Sequence, residues 1–207
     1  MVTASYYAKG VSNAVCQDSY ALEVLTHGKR NTVLLAVCDG IGGLQQGEYA
    51  SRFVIRYMKS WFYENGMQCG KRWMAKSNMK NVVNHCIRAL YECHVTLTQY
   101  GLHNDIKLGT TVTLVLLIRK QYFLFHVGDS RAYLFRKREM IPLTTDHSYV
   151  MELVKMGNIT KEEAATHPKR NVITRAIGIR NAVETDTAIH PLKKNDILVL
   201  CSDGLCG

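Results

Sequence analysis

The 207-residue sequence has no long apolar run, no paired-cysteine motif and no low-complexity segment. No apolar stretch approaches the roughly 20 residues of a bilayer span, and the start, MVTASYYAKG, lacks the basic-then-apolar pattern of a secretory signal. The seven cysteines include no CxxC pair, and their odd number argues against a disulfide framework or a zinc ribbon. These absences predict a single cytoplasmic domain without a membrane partner, in which Cys38 and Cys201 are small buried hydrophobes.

Other features that the sequence lacks argue against particular classes of function. The formal net charge of +9 is scattered over short clusters that lack the aromatic interleaving of a single-strand binding groove, which predicts no nucleic-acid partner. The sequence contains neither the GxSxG elbow of serine hydrolases nor the phosphate-binding GxxxxGK[ST] loop. Both observations argue against serine hydrolases and nucleoside triphosphatases.

Four runs are apolar at almost every position, and they predict strands that are covered on both faces. These runs are residues 32–38, 111–118, 122–127 and 197–201. The more mixed segment 19–25 predicts a fifth strand, and the short gap at 119–121 predicts a hairpin between the second and third apolar runs.

Helical spacing of apolar residues occupies the region between the early and middle strands. Segments 46–64 and 77–100 each carry apolar stripes, which predict two helices packed on a sheet. A weaker helix begins near Ser148, and the capping-box pattern at Thr160 opens another. Strands, then helices, then further strands indicate an α+β fold rather than alternating βα units.

Three apolar strands end in an aspartate beside a glycine, at Asp39-Gly40, Gly128-Asp129 and Asp203-Gly204. One such ending is ordinary turn chemistry, but three could converge at one end of a sandwich. A cluster of carboxylates repels itself unless cations neutralise it, and oxygen ligands favour Mg²⁺ or Mn²⁺ over zinc. Paired cations of this kind activate water for attack on phosphate esters.

A dinucleotide-binding loop is the competing interpretation of the glycines at 40–43. The match to GxGxxG is incomplete because Gln45 occupies the third glycine position, and a cofactor pyrophosphate would lie beside the anionic Asp39. The carboxylate interpretation is therefore preferred.

The chain resembles the metal-dependent protein phosphatases of type 2C in their compact bacterial form. The matching segments are CQDSY (16–20), VCDGIGG (37–43), GTTVTLVLL (109–117), HVGDSRAYLF (126–135), LTTDHS (143–148), RNVITRAIG (170–178) and DILVLCSDG (196–204). The resemblance implies a four-layer αββα sandwich, in which helices flank a central antiparallel β-sandwich. It also implies hydrolysis of phosphoserine and phosphothreonine on proteins by a metal-activated water, acting opposite a serine/threonine kinase.

The resemblance further assigns roles to individual residues. Asp39 would bridge two Mn²⁺ or Mg²⁺ ions, Gly40 would offer its carbonyl to one of them and Asp203 would ligate the other. Asp18 would hold water at the centre, and Asp129 would help Asp203 to bind a third, weaker ion. Segment 148–170 corresponds to the family's variable flap, which is thought to influence substrate choice.

Three departures from the family pattern bear on activity. Asn13 stands where the family has an arginine that grips the substrate phosphate, so phosphate binding is expected to be weaker. Ile41 replaces a histidine general acid that some members carry, and a structural role is favoured for the nearby His126 and His147. The sequence also stops at Gly207, before the family's last metal-ligand motif.

The third departure predicts a single phosphatase domain over residues 1–207 that is incomplete at its C-terminus and leaves apolar surface uncovered. The alternative to an enzyme is a catalytically impaired member that binds phosphoproteins as a regulatory module.

Overall fold

The computed structural model describes residues 3–6, 16–28, 30–41, 44, 46–69, 79–179 and 182–206, and Asn13 lies outside them. Within the described residues the strands are β1 (Asp18–His27), β2 (Arg30–Asp39), β3 (Val112–Ile118), β4 (Gln121–Val127), β5 (Arg131–Arg136), β6 (Glu139–Pro142), β7 (Asp186–Pro191) and β8 (Ile197–Cys201). The helices are α1 (Gly47–Cys69), α2 (Met79–His103), α3 (Tyr149–Lys155), α4 (Lys161–Thr166) and α5 (Asp203–Cys206).

The strands form two antiparallel sheets. One sheet has the order β1-β2-β3-β4-β7 and the other the order β6-β5-β8. Strands β3 and β4 pair from Ile118↔Gln121 to Val112↔Val127, which confirms the predicted hairpin. All the strand pairs within these two sheets are antiparallel, so the predicted α+β fold with a central antiparallel sandwich is confirmed.

Burial on both faces of the larger sheet explains its continuous apolar runs. On β3, Leu114 and Leu116 belong to a core shared with helices α1 and α2. Val115, between them, packs into a second core with Ala132 and the partly buried Leu198 of the smaller sheet. Side chains alternate along a strand, so each face of β3 meets a different layer.

The helices differ from the sequence predictions mainly in length. Helix α1 extends to Cys69 rather than residue 64, and α2 extends to His103 rather than residue 100. The predicted capping box is present: Thr160 Oγ1 accepts from the Glu163 backbone N–H, and the Glu163 carboxylate accepts from the Thr160 N–H. Helices α3 and α4 both lie within the predicted flap segment 148–170.

Candidate active site

Strand pairing places Asp18 and Asp39 side by side. Asp18 is the first residue of β1, Asp39 is the last residue of β2, and the two are direct partners across the antiparallel pair. Side chains of directly opposite residues lie on the same face of a sheet, about 5 Å apart at their Cβ atoms. The two carboxylates therefore share one end of the sheet because the β1–β2 register is fixed by the apolar residues along both strands.

The backbone of Asp39 is fixed by two threonines at the start of β3. The Asp39 N–H donates to Thr111 Oγ1 (2.9 Å), and the Asp39 carbonyl accepts from the Thr111 N–H (2.8 Å) and from Thr110 Oγ1 (2.8 Å). Thr111 Oγ1 is also hydrogen-bonded to Ser130 Oγ at 2.7 Å, beside Asp129. Two strand ends that carry candidate ligands are thus joined through one buried hydroxyl.

The third carboxylate, that of Asp203, follows the last strand of the smaller sheet. Strand β8 ends at Cys201, and Ser202 Oγ then donates to Asp18 Oδ2 at 2.7 Å. The next residue, Asp203, lies close enough to Asp39 for its carboxylate to raise the pKa of Asp39. The carboxylates of Asp18 and Asp203 therefore both lie near that of Asp39. The strand-end pattern predicted that Asp39 and Asp203 could converge with Asp129, and the resemblance added Asp18; their roles at a metal centre stay predictions.

The electrostatics of the centre reflect this crowding. Burial and the neighbouring carboxylates of Asp18 and Asp203 raise the pKa of Asp39 to about 9. Buried neighbouring carboxylates repel one another when all are ionised, so Asp39 retains a proton when no other positive charge is present. Such a site is built to exchange protons for cations.

Asp129 lies close enough to Asp203 to respond to its charge. Burial, followed by the charges of Asp203 and Asp146, raises the pKa of Asp129 to about 6. The preceding Gly128 has φ of +110°, and a Cβ at this position would lie 2.5 Å from the Thr111 side chain. Glycine is therefore required for the turn that presents Asp129 to the centre.

The donor set fits a hard divalent cation, although the carboxylates are not arranged as a ready-made cage. Among the residues that the structure describes, no group of three or more His, Cys, Asp or Glu side chains is arranged to hold a metal ion. The carboxylates of Asp18 and Asp203 nevertheless lie close enough to raise the pKa of Asp39. A bound cation would replace the proton on Asp39 and relieve the mutual repulsion of the three carboxylates.

Gly40 has a packing role in addition to the predicted one. A Cβ on Gly40 would lie 2.3 Å from the backbone of Gly47, at the start of α1, and 2.8 Å from the carbonyl of Gln17. The Gly40 N–H donates to that same carbonyl at 3.1 Å. The chain needs glycine here for a close approach of backbones, and metal ligation by the Gly40 carbonyl stays a prediction.

The two histidines considered as general acids have structural contacts. His126 is buried, with Nδ1 3.0 Å from Thr113 Oγ1 and Nε2 3.2 Å from the Thr145 carbonyl. His147 Nδ1 accepts from the Gly128 N–H at 3.0 Å, and its Nε2 lies 3.2 Å from Asp186. The structural role predicted for both is confirmed, and His147 also steadies the turn before Asp129.

The threonine and serine hydroxyls were missed by the sequence analysis as parts of the site. Thr110, Thr111 and Ser130 occur inside the matched segments, but hydroxyl residues in strands are common and carry no signal of their own.

Asn13 lies outside the described residues, so its contact with a substrate phosphate stays a prediction. No helix in the described parts of the chain is both long and apolar enough to cross a bilayer.

Comparisons with known proteins identify the family of this chain. The family model for protein phosphatase 2C matches residues 8–206. The serine/threonine phosphatase stp of Listeria welshimeri is 34% identical over 181 residues, which cover 86% of this chain and 68% of that protein.

Two solved structures extend the similarity to three dimensions. The serine/threonine phosphatase Stp1 from Staphylococcus aureus has a TM-score of 0.82 at 33% identity, with 97% of this chain and 75% of that chain covered. The catalytic domain of the phosphatase PstP, solved in complex with two manganese ions, has a TM-score of 0.73 at 28% identity, with 96% and 75% covered. Because the family model spans nearly the whole sequence and these relatives share its fold, the chain belongs to the protein phosphatase 2C family.

Proposed function

We propose that this protein hydrolyses phosphoserine and phosphothreonine esters on other proteins, using divalent cations held by the carboxylates at the strand ends. The observation that carries the proposal is the proximity of three carboxylates: Asp18 pairs with Asp39 across β1 and β2, and Asp203 lies close enough to raise the pKa of Asp39. Family membership supports the reaction class, and the two manganese ions of the PstP structure support a paired-cation centre.

Each carboxylate has a separate task in this proposal. Asp39 and Asp203 would hold Mn²⁺ or Mg²⁺ together with the Gly40 carbonyl, and Asp129 would help Asp203 to bind a third ion. Asp18, which accepts from Ser202, would orient water at the centre. When bound, the cations lower the pKa of water and neutralise phosphate oxygens during in-line attack.

The rest of the chain keeps these groups in place. Thr110 and Thr111 fix the Asp39 backbone, and His147 fixes the turn before Asp129. Precise positioning matters because a misplacement of about 1 Å can cost two orders of magnitude in rate.

We also place the protein in the cytoplasm, acting on the products of a serine/threonine kinase. Cys38, Cys86 and Cys93 are buried thiols without a disulfide, as expected in a reducing compartment. The kinase follows from the reaction class, since a phosphoprotein phosphatase needs a source of phosphorylated substrate.

The test replaces Asp39 by asparagine, which keeps the size of the side chain and removes its charge. We expect Asp39→Asn to lower manganese-dependent hydrolysis of a phosphothreonine peptide by at least about 100-fold and to weaken Mn²⁺ binding measured by calorimetry. Asp105→Asn is the matched control, because Asp105 is exposed and has φ of 51°, a conformation that asparagine also adopts.

Two outcomes would contradict the proposal. Full turnover by Asp39→Asn would show that the catalytic centre lies elsewhere. Tight binding of the phosphopeptide by the unaltered chain, with no hydrolysis at saturating Mn²⁺, would favour the regulatory alternative.

A further inference from the structure

A groove runs along helix α1 from the carboxylate centre. Its volume is about 520 Å³, and one end is lined by Asp18 of the centre and the other by Tyr63. The outer wall carries three cationic side chains of α1, at Arg52, Arg56 and Lys59. None of these cations has a part in the carboxylate centre.

Helix α1 has three distinct faces, and the groove uses the one that no other helix or strand among the described residues covers. Val54 and Met58 are fully buried against the sheet. Tyr49 stacks on Tyr100 of α2, so a second face is occupied by that helix. The residues 52, 56 and 59 recur at the spacing of one helical face, and this face lies beside the exposed edge strand β1.

Two of the three cations are available to a ligand. Lys59 Nζ contacts Glu23 Oε1 at 2.6 Å. Arg52 and Arg56 are both exposed, and neither has an ion pair with any residue that the structure describes. Like charges four residues apart destabilise a helix slightly, so this pair of arginines does not add to the stability of α1.

We propose that this groove binds an acidic segment of the phosphoprotein substrate, with Arg52 and Arg56 pairing to carboxylates near the phosphorylated residue. The proposal rests on the proposed function, because it places the phosphorylated residue at the carboxylate centre. Arginine suits the role because its planar guanidinium pairs with a carboxylate through two parallel hydrogen bonds. The charge of Asp18 at one end disfavours an acidic residue next to the centre and favours one further along the groove.

The dimensions of the helix set the spacing of the acidic residues. From Arg52 to Tyr63 the helix rises by roughly 17 Å. An extended peptide covers this distance in about five residues. Acidic side chains some two to five positions from the phosphorylated residue would therefore lie along the cationic wall of the groove.

The experiment measures three substrates with the unaltered protein and with the double variant Arg52→Gln/Arg56→Gln. Two are phosphothreonine peptides, one with glutamates two to five positions away on either side and one with glutamines there. The third is p-nitrophenyl phosphate, which is too small to reach the groove. The matched control is Lys80→Gln/Arg88→Gln, which removes the same charge from exposed positions of α2.

We expect the double variant to raise KM for the acidic peptide by about five-fold to ten-fold, with kcat unchanged. Hydrolysis of p-nitrophenyl phosphate and of the glutamine peptide should stay within about two-fold of the unaltered protein. Raising the salt concentration should erase the preference for the acidic peptide, because exposed charges are screened.

The groove proposal and the proposed phosphatase function can be contradicted by different results. An unchanged KM for the acidic peptide, or an equal loss on all three substrates, would overturn the groove proposal while the phosphatase activity stands. No hydrolysis of any substrate at saturating Mn²⁺ would instead count against the proposed function. In that case, fluorescence anisotropy of the labelled acidic peptide still tests the groove, and equal affinity for both double variants would overturn it.

Discussion

Asp39 lies between the carboxylates of Asp18 and Asp203, and its pKa is raised from 3.8 to about 9 by burial and by these neighbours. The folded chain thus binds a proton that the unfolded chain releases above pH 4. When the folded state binds more protons than the unfolded state, the free energy of unfolding falls as the pH rises. The raised pKa of Asp129, about 6, acts in the same direction over a narrower range.

The first prediction at this scale is a pH-dependent stability in the absence of metal. We expect the free energy of unfolding of the metal-free protein to fall between about pH 4 and pH 9, the range between the two pKa values of Asp39. Asp39→Asn should flatten this dependence and stabilise the metal-free protein at pH 8 by on the order of 2 kcal/mol. Urea unfolding with EDTA at several pH values measures both effects.

The control for this prediction is Asp105→Asn, which makes the same chemical change at an exposed site. It should leave the pH dependence as it is in the unaltered protein. A slope for Asp39→Asn as steep as that of the unaltered protein would show that Asp39 is not the group that holds the proton. Asp39→Asn should thus stabilise the metal-free fold and remove activity. Opposite effects on stability and activity are common for substitutions at functional sites.

At the scale of elements, the start of β3 positions the end of β2. Thr111 is 1% exposed, and its hydroxyl accepts the Asp39 N–H and contacts Ser130 Oγ. Thr111→Val keeps the shape of the side chain but leaves the Asp39 N–H without its acceptor. We expect a loss of about 1–3 kcal/mol in the free energy of unfolding, together with reduced kcat because Asp39 shifts.

Helix α2 offers a matched control for this substitution. The hydroxyl of Thr98 is buried and has no hydrogen-bond partner among the described residues. Thr98→Val should therefore be neutral or stabilising, since it removes a buried polar group that gains nothing from the fold. Chemical denaturation measures the stability of both variants, and phosphopeptide hydrolysis measures their kcat. Equal losses of stability and of kcat in the two variants would show that the hydroxyl contacts at Asp39 are unimportant.

The same scale shows which elements were predictable from sequence. Strands β2, β3 and β4 have both faces covered and carry long apolar runs, so their positions were predicted to within about two residues. Strands β6 and β7 were not predicted, because nearly all their residues are exposed and no apolar pattern marks them. Exposed edge strands are defined by pairing with a neighbour, which a local pattern does not reveal.

For the site as well, residues marked by a local sequence pattern were predicted, and residues that depend on tertiary contacts were not. Asp39, Asp129 and Asp203 were identified because an aspartate after an apolar strand is conspicuous, and Asp18 because its segment resembles the family. The supporting hydroxyls were missed, since their role depends on the register of β3 against β2. Arg52 and Arg56 lie in segment 46–64, whose apolar stripes predicted only a helix packed on a sheet. Their proposed role in substrate binding depends on the groove beside β1, which forms only in the folded chain.

At the scale of the whole molecule, the carboxylate centre joins both sheets of the sandwich. Asp18 and Asp39 belong to the larger sheet, whereas Asp203 follows β8 of the smaller one. Residues so distant along the chain come together only in the folded state. A cation held by carboxylates from both sheets therefore binds the folded chain and not the unfolded chain, and stabilises the fold by mass action.

The last prediction is a rise in thermal stability on adding Mn²⁺. At a concentration 100 times Kd, a ligand specific for the folded state contributes about 2.7 kcal/mol, which corresponds to a rise in Tm of roughly 5–10 °C for a chain of this size. Differential scanning calorimetry should show this rise for the unaltered protein and for Asp105→Asn, with reversal by EDTA. Asp39→Asn should show a much smaller rise, even though its metal-free form begins at a higher Tm at pH 8. An equal rise in all three proteins would mean that Mn²⁺ binds somewhere other than the point where the two sheets meet.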